Sequence, residues 1–131
     1  MKRLLSVVLA VAALVLLPPV GALAQDVLAL EIAKKATLTE GGQTVLVTVT
    51  VTCPAGSEVL EAFVYVVQDV NQNTSQFAGL PLVCDGVARM LTVRVLALDM
   101  PFHTGKARVS GYILLTSGVS ISPTAQIKIR A

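Results

Sequence analysis

Residues 43–56 read QTVLVTVTVTCPAG, and this alternation constrains the fold more than any other stretch of the chain. Val45, Val47, Val49, Val51 and Cys53 fall on one side of an extended backbone. Thr44, Thr48, Thr50 and Thr52 fall on the other side with Leu46. Successive side chains of a strand point to opposite faces, and a period of two in β-branched residues marks a strand with one buried face. The valine row is therefore predicted to face a core and to bring the Cys53 thiol into it.

Comparable segments recur, separated by turn signals. In 27–33, Leu28, Leu30 and Ile32 share a face. In 58–68, Phe63, Tyr65 and Val67 oppose Leu60, Ala62, Val64 and Val66, so both faces are apolar. In 87–98, Leu91, Val93 and Val95 face in and Arg94 out, and in 107–115 Val109, Ile113 and Leu115 align. Ile127 and Ile129 face in near the C-terminus, with Lys128 and Arg130 outside. Turns are expected at 40–42, 54–57, 85–86 and 117–118, and a short strand is expected within 76–83. No helical period of useful length occurs. The pattern predicts an all-β domain, a single antiparallel sandwich of about seven strands. Because 58–68 is apolar on both sides, it is expected either to lie centrally or to meet another molecule.

The chain opens MKRLLSVVLAVAALVLLPPVGALAQ. A basic start, an uncharged apolar run to Leu17 and the small residues Ala22 and Ala24 predict a secretory signal peptide over 1–24, with the mature domain at 25–131; the rival, an N-terminal membrane anchor, would need a longer apolar run. Of the ten basic residues, Lys2 and Arg3 leave with that segment, so eight basic and eight acidic residues remain and the mature net charge is zero. A neutral domain argues against a nucleic-acid or anionic-membrane partner. No later segment is long and apolar enough to span a membrane. Two cysteines in an exported chain read as one disulfide, Cys53–Cys84, with an interchain bridge as the alternative. The expected location is secreted, extracellular or associated with the cell envelope.

The run ATLTEGGQTVLVTVTVTCPAG, then VYVVQ, a second cysteine and LTVRVLALDMPFHTGKARVSGYI resembles small exported bacterial immunoglobulin-like proteins, which are largely uncharacterised. The stretch F-x-x-G-K-A-x-V, Phe102 to Val109, is similar to the approach to a late strand in such domains. The resemblance covers nearly all of 25–131 and implies an immunoglobulin-like fold outside the cytoplasm, with no activity to carry over. The antibody-type bridge is absent: its second position falls near Gly111, Cys84 precedes the strand near Val87, and the chain has no tryptophan.

Residues able to carry chemistry are few. His103 is the sole histidine, and no G-x-S-x-G elbow accompanies it, so no catalytic triad is expected. Met100 and His103 are too few for a copper site, and no calcium-loop motif is present. No enzyme activity, cofactor or metal is expected. Asn73-Thr74-Ser75 is a formal glycosylation sequon. Phe77, Phe102, His103 and Tyr65 are candidate contacts for a ligand or partner. The expected function is a non-enzymatic module with a structural or protein-interaction role, meeting another protein or a second copy through apolar strand faces. The alternative is a small-ligand or glycan-binding module using loops 69–76 and 99–106.

Overall fold

The alternating segments form the strands they predict. A computed structural model of the chain describes residues 27–68 and 73–131. The expected signal peptide and the loop tip at 69–72 lie outside the described residues. The strands are β1 (Ala29–Ile32), β2 (Lys35–Thr39), β3 (Thr44–Thr52), β4 (Val59–Gln68), β5 (Asn73–Thr74), β6 (Ala78–Gly79), β7 (Arg89–Leu96), β8 (Gly105–Leu115), β9 (Ser120–Ile121) and β10 (Thr124–Arg130). Ten strands thus replace the expected seven. The short strand expected within 76–83 is β6. The three extra strands are β2, which continues the first extended segment as a separate strand, and β5 and β9, each two residues long and too short to leave an alternation in the sequence. Among the described residues the only helical element is a 3-10 turn at Glu40–Gly42.

β3 pairs with β7 along one edge. Its other edge is shared, with β1 taking Val49–Thr52 and β2 taking Thr44–Leu46. β2 also runs parallel to β10, which continues antiparallel to β8 and then β4. β2 therefore carries the sheet from β1-β3-β7 round to β10-β8-β4. On the far side β5 pairs with β4, and Ser75 bridges Ala97 just beyond β7. Ser75 is buried. Its backbone N–H donates to the Val66 carbonyl at 2.9 Å, and its Oγ accepts from the Val66 N–H at 2.8 Å. The strand order thus returns to its start around one core, closed by a single-residue bridge.

That core is one contiguous cluster drawn from both halves. β3 gives Val45, Val47, Val49 and Val51, and β7 gives Val93 and Val95. β4 gives Val64 and Val66, β8 gives Ala107, Val109, Ile113 and Leu115, and β10 gives Ile127 and Ile129. The halves meet closely at Gly111: a Cβ there would stand 2.4 Å from Leu30 Cδ2 of β1. Leu60 departs from its expected face and is exposed. The register shift between Val59 and Glu61 opposite β8 breaks the alternation at that point.

Cys53 and Cys84 form an intrachain disulfide between the end of β3 and the segment before β7. Backbone bonds flank it: Gly86 N–H donates to the Cys53 carbonyl at 2.8 Å and Gly56 N–H to the Cys84 carbonyl at 3.3 Å. The separation of 31 residues corresponds to roughly 3–4 kcal/mol of chain-entropy stabilisation. The Cys53→Ala, Cys84→Ala variant is expected to lose about that much in urea unfolding while staying monomeric in light scattering. A loss under about 1 kcal/mol would show that the bridge adds little to a closed sheet.

Two surface ion pairs sit on the β3-β7 side, Arg89 with Asp85 and Arg94 with Glu40. Bonds from Thr44 and Arg94 hold the Glu40 carboxyl below its ordinary range, and bonds from Arg89 and the Val87 N–H do the same for Asp85. A carboxylate with a lowered folded pKa stabilises above its unfolded pKa, and that contribution is lost as pH falls through the folded one. The melting temperature is expected to drop as pH falls from about 5 to about 3. Glu40→Gln should make that drop shallower in a calorimetric pH series.

Candidate functional site

On β4 and β8 the side chains opposite the core row point outward, and several are aromatic. Phe63 stands across from Tyr112 and Tyr65 across from Ser110. β6 pairs Ala78 with Val64 and Gly79 with Phe63, which brings the preceding residue, Phe77, over this face. The Phe77 ring stacks on Phe63 with centroids 4.7 Å apart and an interplanar angle of 18°. Tyr65 lies 5.3 Å from Phe77, and Tyr112 lies 5.6 Å from Phe63. Offset stacking and tilted contacts at such distances are favourable ring geometries, yet Phe77 remains 66% exposed. The rings border an open depression of about 420 Å³ with Ser110 and Thr124, whose hydroxyls are 3.2 Å apart.

The same face continues into a basic region. Lys128 on β10 is the register partner of Lys35 on β2 and of Lys106 on β8. Their sequence neighbours Ala36, Ala107, Ile127 and Ile129 are buried, so the three lysines share the outer face, and all three are exposed. Arg130, two residues beyond Lys128, lies on that face too. β2, β8 and β10 contain no acidic residue. Among the described residues none of the three lysines takes part in an ion pair.

The loop candidates fare differently. Phe102 is 1% exposed and belongs to the core, which removes it from any contact surface. Its N–H donates to the Gly42 carbonyl at 2.8 Å. Gly42 has φ +93°, and a Cβ there would lie 2.6 Å from the Phe102 carbonyl oxygen, so only glycine fits. The buried Gln68 amide accepts from the His103 N–H at 2.9 Å and donates to the His103 carbonyl at 2.8 Å. The Asn73 amide donates to the carbonyls of Met100 and Pro101 at 2.7 and 2.9 Å. Segment 99–104 is thus pinned to the body of the domain by two buried amides. The His103 ring is exposed, in a loop held by the end of β4.

Asn73 is also the sequon residue. Its side chain is buried and its N–H groups are used, so the folded protein does not present it for glycosylation. The structure therefore joins Tyr65 and Phe77 of the expected contacts, adds Phe63 and Tyr112, and removes Phe102. Parity could have found the two additions: Phe63 shares the Tyr65 face, and Tyr112 lies opposite the row of Val109 and Ile113. That Phe77 folds back over β4 has no local signal.

No family model matches the chain, and no curated protein is similar to it in sequence.

Phe102→Ala is expected to lower the unfolding free energy by about 3–5 kcal/mol, as for a large side chain deleted from a packed core. Urea titration checks this. A loss below about 1 kcal/mol would place Phe102 outside the cooperative core.

Proposed function

We propose that this chain is an exported, non-enzymatic recognition module, immunoglobulin-like in its pairing, that binds a macromolecule at or outside the cell envelope. It binds through the outer face of β4, β8 and β10. Export is supported by the signal-peptide pattern over 1–24 and by the disulfide, which is compatible with an extracellular location. Among the described residues no helix is long and apolar enough to cross a membrane. The immunoglobulin-like reading is supported by the pairing of β3 with β7 and of β8 with both β4 and β10.

The observation that carries the recognition reading is the cluster of Phe63, Tyr65, Phe77 and Tyr112 on a strand face, with Phe77 exposed and the other three rings half-buried. Rings left beside water forgo burial worth about 1.5–3 kcal/mol for a large apolar side chain, and contiguous exposed apolar area marks contact sites. Protein and second-copy partners both draw on this face. A glycan is favoured by one further feature, the hydroxyls of Ser110 and Thr124 beside the rings of an open depression. Such a mixture suits a sugar, which offers C–H faces and hydroxyls together. The burial of Phe102 removes an aromatic contact from the 99–104 loop, which supports the sheet face over that loop.

Light scattering on purified 25–131 should give a monomer, with and without reductant. The mature protein should be retained by insoluble envelope polymer from its source cells. Phe77→Ser with Tyr112→Ser should weaken that retention by at least about tenfold, with a melting temperature near wild type. Equal retention of both proteins overturns the reading. A stable dimer that these substitutions dissolve would instead assign the face to a second copy.

A further inference from the structure

The net charge of zero expected for 25–131 conceals a segregated surface. The two arginines of β7 are each paired with a carboxylate. By contrast Lys35, Lys128 and Lys106 stand in one row across β2, β10 and β8. Adjacent strands are about 4.8 Å apart, so the row spans about 10 Å. Like charges directly opposite one another destabilise a sheet, and these strands supply no acid to offset them. Among the described residues the row is therefore left without a compensating acid, which makes it favourable toward an anion.

The row and the aromatic cluster belong to one strip. Along β8 the outward residues run Lys106, Arg108, Ser110, Tyr112, six residues or about 20 Å from the lysine row to the rings. Rings and hydroxyls occupy one end and ammonium groups the other. We propose that the occupant of this face is an acidic polysaccharide, with sugar rings over Phe63, Phe77 and Tyr112 and acidic groups meeting Lys35, Lys106 and Lys128. This inference rests on the recognition reading above and names its ligand class.

Nucleic acid suits the strip less well. A phosphate backbone favours cations along its whole track, whereas here the aromatic end carries Glu61, the register partner of Leu114. An acidic peptide would meet the lysines, but its backbone presents no ring faces to lie flat on the aromatic platform. Lysines act as compact point charges without the bidentate geometry of arginine, which suits anions spaced along a sugar chain.

The test is calorimetric titration of mature 25–131 with alginate, a polyuronate, at about 50 mM and about 500 mM salt. Dextran, polyglutamate and poly-dT serve as comparison ligands. Alginate should bind at least about tenfold more tightly than any of the three at the lower salt. Replacing Lys35, Lys106 and Lys128 together by Ser should weaken alginate binding about tenfold, the sum expected of three exposed charge contacts, and should flatten its salt dependence. Phe77→Ser with Tyr112→Ser should weaken it at both salts. The triple variant should melt no lower than wild type, since like-charge repulsion is removed.

The proposal is overturned if alginate binds no better than dextran, if the triple variant binds as wild type does, or if polyglutamate or poly-dT binds equally well. If alginate fails while envelope retention still depends on Phe77 and Tyr112, only the ligand class is wrong. If that retention is also indifferent to the two rings, the recognition reading falls as well.

Discussion

The valine row of β3 is the constraint on which the rest of the structure depends. β3 pairs with three strands, β1, β2 and β7. Its inward residues Val45, Val47, Val49 and Val51 are all buried against the opposing half. Burying each valine contributes on the order of 1.5–3 kcal/mol, and a one-residue slip in register would turn the whole row to water. Both ends of the strand are fastened. The Thr44 hydroxyl donates to Glu40 Oε1 at 2.8 Å at one end, and Cys53 is bonded to Cys84 at the other. With β3 fixed, β2 carries the chain across to β10, and β4 and β8 are set with one face on the core and the other free.

That free face is where the domain has surface chemistry to spare. β4 and β8 satisfy the core with Val64, Val66, Val109 and Ile113, so Phe63, Tyr65 and Tyr112 are not needed inside. Phe77 adds a fourth ring from a neighbouring segment. A rigid sheet holds these groups with little conformational freedom, which would lower the entropy lost on the proposed binding. The loop at 99–104 is at the other extreme. Phe102 fills the core end, Gly42 lets the backbone approach, and Gln68 and Asn73 satisfy its carbonyls. A buried polar group left unpartnered is costly, so these amides tie the loop's conformation to the fold.

Much of the fold was legible in the sequence because alternation reports facing directly. The inward rows of β3, β7, β8 and β10 read straight from the period of two. The two-residue strands β5 and β9 did not, since two residues contain no period, and β6 was legible only as a short strand somewhere within 76–83. The disulfide was legible because the chain holds two cysteines. Phe102 was misread because it lies in a segment of loop composition, and its burial depends on Gly42 and on the Gln68 and Asn73 amides, which reach its loop across separations of 35 and 27 residues. The lysine row was invisible for a related reason. Lys35, Lys106 and Lys128 are distant in sequence, and only the β2-β10-β8 pairing makes them neighbours.

The most direct measurement is nuclear magnetic resonance mapping of isotope-labelled 25–131 during titration with alginate oligomers. The account predicts that amide shifts concentrate on β4, β8 and β10 around Phe63, Tyr65, Ser110, Tyr112 and Lys128, and on Phe77 and Lys35. Shifts confined to 99–104 or to the outer face of β3 and β7, or no shifts at saturating oligomer, would contradict it.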